Sequence, residues 1–249
     1  MPATGVRALI LRAFPYGDTS RILRLLTPDH GVIGAIARGA RRPRSRFAAL
    51  LDPFGEGTAV LDYREGRDLQ TLTAFDLAHA RRGLAGDLRR YGAASLLAEL
   101  LMRTATTTAN PSLFVSATTA LDAIESAEGN AIEPVGLTAA WTLVERLGFA
   151  PELTSCTLCG RALGDAEASF DYGAGGMRCE DCVGGAGARL PARARDAIAS
   201  MVRGETPALD KTYAHWILLE RFLAYHVLDG APLKSLAFLL DVRRVAATP

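Results

Sequence analysis

Pro15–Arg46, PYGDTSRILRLLTPDHGVIGAIARGARRPRSR, holds two short apolar runs between clusters of turn-forming residues. Pro15–Asp18 and Pro28–Gly31 combine Pro, Gly and Asp, which favour tight reversals of the chain, while Ile22–Leu26 and Val32–Ile36 are too short to make long helices. Working outward, the same grain continues on both sides. Strands are expected near Gly5–Ala13, Thr19–Thr27, Val32–Arg38, Gly57–Tyr63 and Leu69–Asp76, with Arg64–Gly66 as a further turn. Five short strands in under 80 residues predict a closed or nearly closed barrel, because closure removes the exposed edges that invite aggregation.

Past Arg82 the apolar period lengthens from two toward 3.6. Leu84, Leu88, Tyr91, Leu97, Leu100 and Leu101 read as the buried stripe of one long helix. A second helix is expected to open at Asn110-Pro111, where Asn caps free N–H groups and Pro occupies the first turn. Its core positions are Leu113, Ala117, Leu121 and Ile124. A third opens near Pro134, buries Leu137, Trp141 and Val144, and stops at Gly148 with Pro151 behind it. Two more candidates follow, Arg193–Val202 and Tyr213–Asp229, the latter with Trp216, Leu219, Leu223 and Val227 on one side. The fold class expected is α+β: a barrel domain over residues 1–80, then a helical domain over 81–249 interrupted at about 154–189.

That interruption carries all four cysteines. Cys156-Thr-Leu-Cys159 and Cys179-Glu-Asp-Cys182, nineteen residues apart, have the spacing of a four-cysteine zinc site. Four thiolates leave no open position for water, so the expected role is structural; a metal-free remnant and a redox dithiol are the alternatives. A zinc deaminase is excluded because none of His30, His79, His215 and His226 has Glu two positions on. The segment Thr154–Arg189 holds three arginines against five acids, net −2, which argues against a zinc ribbon that reads nucleic acid as a transcription or RNA-binding factor. A metal-dependent enzyme would need an open metal site. Phosphate-loop, nucleophile-elbow and dinucleotide fingerprints are missing, so no catalytic residue is assigned.

Charge points elsewhere. The net charge is only +1, yet Arg38, Arg41, Arg42, Arg44 and Arg46 fall within nine residues that contain no acid. Like charges held together repel unless a polyanion neutralises them, and guanidinium groups suit phosphate. A solvated basic loop is the bland alternative. Arg21 and Arg24 on a neighbouring strand extend the patch, and Phe14, Tyr16 and Phe47 are either stacking platforms for bases or core residues. Five such contacts on one strand predict a slope of log affinity against log salt of roughly −3.5. The first residues carry no signal-peptide apolar run and no stretch is long enough to span a membrane, so a cytoplasmic, nucleoid-associated protein is expected.

PYGDTSRILRLLT (Pro15–Thr27), ARGARRPRSRFAALLDPF (Ala37–Phe54) and ERLGFAPELTSCTLCG (Glu145–Gly160), in that order, resemble the bacterial RecO family of DNA repair and recombination proteins. The resemblance implies an N-terminal OB-fold, a helical C-terminal domain and a four-cysteine zinc element. It further implies a mediator without nucleotide hydrolysis that binds single- and double-stranded DNA and anneals complementary strands. The partners implied are RecR, the C-terminal tail of single-stranded-DNA-binding protein and, indirectly, RecA. Carried onto this chain, the DNA surface comprises the five loop arginines with Arg21 and Arg24. Arg146, beside Leu143 and Leu147, is the candidate contact for the acidic tail.

Overall fold

The computed structural model describes residues 4–184, 187–227 and 231–246. The end of the helix expected to reach Asp229, and Gly185–Ala186 of the glycine-rich loop, lie outside them. Compact packing divides the chain into two units: residues up to Asp87 together with Ala94–Ser126, and Leu88–Ala93 together with the chain from Ala127 onward.

In the first unit all five expected strands form: β1 (Thr4–Tyr16), β2 (Ser20–Thr27), β3 (Gly31–Ala37), β4 (Glu56–Asp62) and β5 (Leu69–His79). They close into a barrel of order β1-β2-β3-β5-β4, β1 pairing antiparallel with both β2 and β4. A parallel pairing of Gly34–Ile36 with Leu69–Thr71 joins β3 to β5. This is the five-stranded OB-fold topology. Alternate residues fill the interior, among them Ile10, Leu23, Leu25, Ala35, Leu61 and Phe75. Gly31 shows why the turn between β2 and β3 needs glycine: its φ is +58°, and a Cβ there would strike the Thr106 carbonyl.

Helix α1 (Leu88–Thr104) follows a 3₁₀ turn at Arg82–Gly86, so the long helix expected from Leu84 is broken before it starts. Leu88 and Tyr91 are 60% and 41% exposed, which corrects their assignment to the buried stripe; Ala94, Leu97, Leu100 and Leu101 form it instead. Helix α2 (Pro111–Ser126) begins as expected, the Leu113 N–H donating to Asn110 Oδ1 at 2.9 Å. Its Leu113, Ala117, Leu121 and Ile124 are buried.

In the second unit, α3 (Ile132–Arg146) buries Leu137, Trp141 and Val144. It ends at Gly148, whose φ is +89°, with the Phe149 N–H donating to the Val144 carbonyl at 3.0 Å. The cysteine segment is a three-stranded sheet of β6 (Ala168–Asp171), β7 (Gly176–Arg178) and β8 (Ala188–Leu190), ordered β7-β6-β8. Helices α4 (Ala192–Val202) and α5 (Thr212–His226) follow, with Trp216, Leu219 and Leu223 buried. A sixth helix, α6 (Lys234–Ala246), was not expected, although its Leu236, Leu239 and Leu240 are buried at helical spacing. Among the described residues no helix is long and apolar enough to cross a membrane.

Candidate nucleic-acid interface and metal centre

The loop from β3 to β4 is ordered from inside the barrel. Phe47 and Leu51, 3% and 0% exposed, insert into the apolar interior and anchor the loop's middle. Burying two such side chains contributes about 3–6 kcal/mol, enough to offset much of the cost of fixing the loop. Turns at Gly39–Arg42 and Arg42–Ser45 are closed by backbone hydrogen bonds of 3.1 Å each. Arg41 ties the loop to the β1–β2 turn through its own N–H to the Thr19 carbonyl (2.8 Å) and its guanidinium to the Gly17 carbonyl (3.2 Å).

With its apolar residues inside, the loop turns its charges out. Arg38, Arg41, Arg42, Arg44 and Arg46 are all exposed, and among the described residues none of them pairs with a carboxylate. Arg46 lies over the Phe47 ring, 5.1 Å from its centroid. Phe47 is therefore core, whereas Phe14 and Tyr16 are 37% and 54% exposed, the Phe14 ring with the Arg12 guanidinium 5.9 Å from its centroid. The two β2 arginines separate. Arg21 shares the inward parity of Leu23 and Leu25 and reaches the far end of the loop, contacting the Leu51 carbonyl at 3.4 Å and Asp52 at 3.7 Å. Arg24 has the opposite parity and sits on the outer face opposite Arg12 and Gly34.

A groove of about 860 Å³ opens between three loops of the barrel. Tyr16 and Thr19 border it from the β1–β2 side, Arg38 and Arg42 from the arginine loop, and Arg67 from the β4–β5 loop. OB-folds bind oligonucleotides on this face, between the first and last of these loops. Arg67 is absent from the sequence-based set, since Glu65 and Asp68 flank it and hide its charge in any local count. Its loop is braced from below. Gln70, 3% exposed, accepts from the Arg64 N–H (2.8 Å) and donates to the carbonyls of Arg64 (3.0 Å) and Arg67 (2.9 Å).

In the second unit the two Cys-x-x-Cys turns converge. The Cys156 N–H donates to the Arg161 carbonyl and the Gly160 N–H to the Cys156 carbonyl, both at 2.8 Å, folding the first turn into a knuckle. The Thr157 N–H donates to the Met177 carbonyl at 2.8 Å, docking that knuckle on β7, from which Cys179 and Cys182 follow directly. One sulfur from each of the four cysteines lies within 4.8 Å of the others, and Cys159 Sγ to Cys179 Sγ is 3.8 Å. A tetrahedron with metal–sulfur bonds near 2.3 Å has an edge of about 3.8 Å, whereas a disulfide needs about 2.05 Å. Backbone N–H groups of Cys159 and Cys179 lower the Cys156 thiol to about 6. The sulfurs of Cys179 and then Cys159 push Cys182 up to about 12. Four sulfurs this close need a cation to be thiolates together, so the cluster can hold a metal ion. Arg161 bridges the knuckles to Asp181 at 2.6 Å, and buried Arg195 of α4 donates to the carbonyls of Gly164 (2.8 Å) and Ala166 (2.7 Å), anchoring the element.

Arg146 is 52% exposed, beside buried Leu143 and half-buried Leu147, with its Nε 3.5 Å from Glu145. A second group of metal-competent side chains, His79, Asp122 and Glu125, already has a counter-ion. The fully buried Arg81 guanidinium holds Asp122 at 2.6 Å and Glu56 at 2.7 Å.

A five-stranded OB-type barrel followed by a helical region with a four-cysteine cluster defines the class as an α+β protein of barrel-plus-helical architecture. The chain belongs to the RecO family: residues 1–81 match the family model "Recombination protein O N terminal" and residues 85–237 match "Recombination protein O C terminal". It is similar to the DNA repair protein RecO of Rubrobacter xylanophilus, 37% identical over 179 residues covering 71% of this chain and 70% of that one. That of Anaeromyxobacter sp. (strain K) is 34% identical over 197 residues, covering 77% and 75%. That of Nocardioides sp. is 31% identical over 250 residues, covering 93% and 97%.

Proposed function

We propose that this protein is a non-enzymatic recombination mediator that binds single- and double-stranded DNA through its barrel and anneals complementary strands. The supporting observation is the loop of five exposed arginines, ordered by Phe47 and Leu51 and, among the described residues, in no ion pair with a carboxylate. Annealing requires two polyanions to approach, and a cluster of cations that neutralises both lowers that barrier without nucleotide hydrolysis. On this reading residues 1–80 carry the DNA surface in the cytoplasm, and residues 81–249 recruit partners. Those partners are RecR, through which RecA is loaded, and the C-terminal tail of single-stranded-DNA-binding protein.

The four cysteines hold structural zinc, whose tetrahedral sulfur shell matches the separation of Cys159 and Cys179. Zinc there would order the knuckles; the chain's own residues do the binding. Arg146 offers a cation beside half-buried Leu147 for the acidic tail, and Arg146→Glu is expected to weaken a tail peptide's binding while unchanged affinity removes the residue from the site. The DNA surface is tested by the salt dependence of binding. Replacing Arg41, Arg42 and Arg44 with Ala is expected to flatten the salt slope of DNA binding, summed over single-stranded and duplex probes. An unchanged slope overturns the assignment.

A further inference from the structure

Two pairs of arginines in the loop from β3 to β4 occupy different places. Arg38 and Arg42 line the groove with Arg67 and Tyr16, whereas Arg44 and Arg46 are exposed outside it. The geometry points to a groove that takes one unpaired strand, with Tyr16 stacking on a base and Arg38, Arg42 and Arg67 meeting its phosphates, while Arg44 and Arg46 serve a second strand or a duplex. This rests on the DNA-binding reading above and gives the two strands of annealing separate places on one loop.

Three observations carry it. First, about 860 Å³ falls in the range of clefts that hold one small molecule, roughly 300–1,000 Å³, so the groove has room for a nucleotide or two of an unpaired strand. Secondly, the groove combines the chemistry that an unpaired strand needs and a duplex does not. Tyr16 is a half-exposed aromatic ring on one wall, Ile36 and Leu69 give an apolar floor, and Arg38, Arg42 and Arg67 on the two rims outnumber the one acid of the lining, Asp68. A base has a free π-face only when it is unstacked from its own strand. Thirdly, both rims are pre-organised. Gln70 fixes the Arg67 loop from inside the barrel, and Arg41 pins the arginine loop to the β1–β2 turn that follows Tyr16. Ordering before binding lowers the entropy cost of capturing a flexible strand.

The test uses the full chain and three labelled probes: oligo(dT), an abasic oligonucleotide of equal length, and a duplex. Tyr16→Ala is expected to weaken oligo(dT) about tenfold, in line with one lost base stack, and to leave the abasic strand unchanged; Tyr16→Phe keeps parental binding. Arg67→Ala is expected to flatten the oligo(dT) salt slope by roughly 0.7 and leave the duplex slope alone. The Arg44→Ala, Arg46→Ala double variant is expected to do the reverse, flattening the duplex slope by roughly 1.8. Equal loss on oligo(dT) and abasic DNA in Tyr16→Ala, or equal flattening of both slopes by either arginine variant, overturns the division. In that case the parent's salt-dependent binding leaves the wider DNA-binding reading standing. A parent that binds none of the probes overturns both.

Discussion

Gln70→Leu separates the stability of the barrel from the readiness of its groove. The buried amide makes three hydrogen bonds to the β4–β5 loop, two with the Arg64 peptide groups and one to the Arg67 carbonyl. At about 1 kcal/mol net for each, their loss costs about 3 kcal/mol. The exposed loop can turn some of these groups to water, and the leucine regains some apolar burial, which brings the expected loss to about 2 kcal/mol. The consequence for binding is separate. Releasing Arg64–Arg67 means that one of its residues must be re-ordered when DNA binds, at about 1–2 kcal/mol of backbone entropy, or roughly tenfold in affinity. Urea unfolding measures the first quantity and anisotropy of labelled oligo(dT) the second. The expected result is a lower urea midpoint with unchanged slope, together with about tenfold weaker oligo(dT) binding and unaltered duplex binding. A destabilised variant that bound oligo(dT) like the parent would falsify the claim that Gln70 pre-organises the groove.

Two other perturbations address the remaining parts of the fold. Cys159→Ser removes one corner of the sulfur tetrahedron; bound zinc, measured by elemental analysis, is expected to fall well below one per chain while oligo(dT) binding persists, whereas full zinc content contradicts the four-sulfur site. Arg81→Met removes the buried guanidinium between Glu56 and Asp122, leaving Glu56 with Arg7 alone, and is expected to cost about 1–3 kcal/mol in urea unfolding. The same pair predicts acid sensitivity. Burial pushes the Glu56 carboxyl up, but its bonds from Arg81 and Arg7 outweigh that and leave it below the ordinary value. Its contribution is thus present above the unfolded-state value of about 4.3 and lost as pH falls through the lower folded value. The parent's stability should drop over that interval more than that of Glu56→Gln, and equal drops would contradict the assignment.

The barrel was legible because clusters of turn residues separate its short strands, and two of the helices because Asn110-Pro111 and Gly148 punctuate them chemically. The cysteine pairs were equally open to reading, since their spacing alone brings four sulfurs together. Helix α6 carried its signal in Leu236, Leu239 and Leu240 and was passed over. Leu88 and Tyr91 misled because an apolar residue near a helix start fits the stripe by spacing, while a break at Gly86–Asp87 resets the phase. Arg21 and Arg24 could have been separated by parity, for three positions apart on a strand means opposite faces. Arg67 is a different case. It reaches the groove only because β5 pairs in parallel with β3, and a pairing between Gly34 and Leu69 leaves no local trace in either segment.

The central claim is that the arginine loop brings two strands together without chemistry. The direct measurement is the rate at which complementary oligonucleotides anneal, in the absence of any nucleotide, with the parent and with the Arg41, Arg42, Arg44 triple alanine variant, both folded by circular dichroism. The parent is expected to accelerate annealing, more weakly as salt rises, and the variant to lose that acceleration. A variant that anneals as fast as the parent contradicts the account.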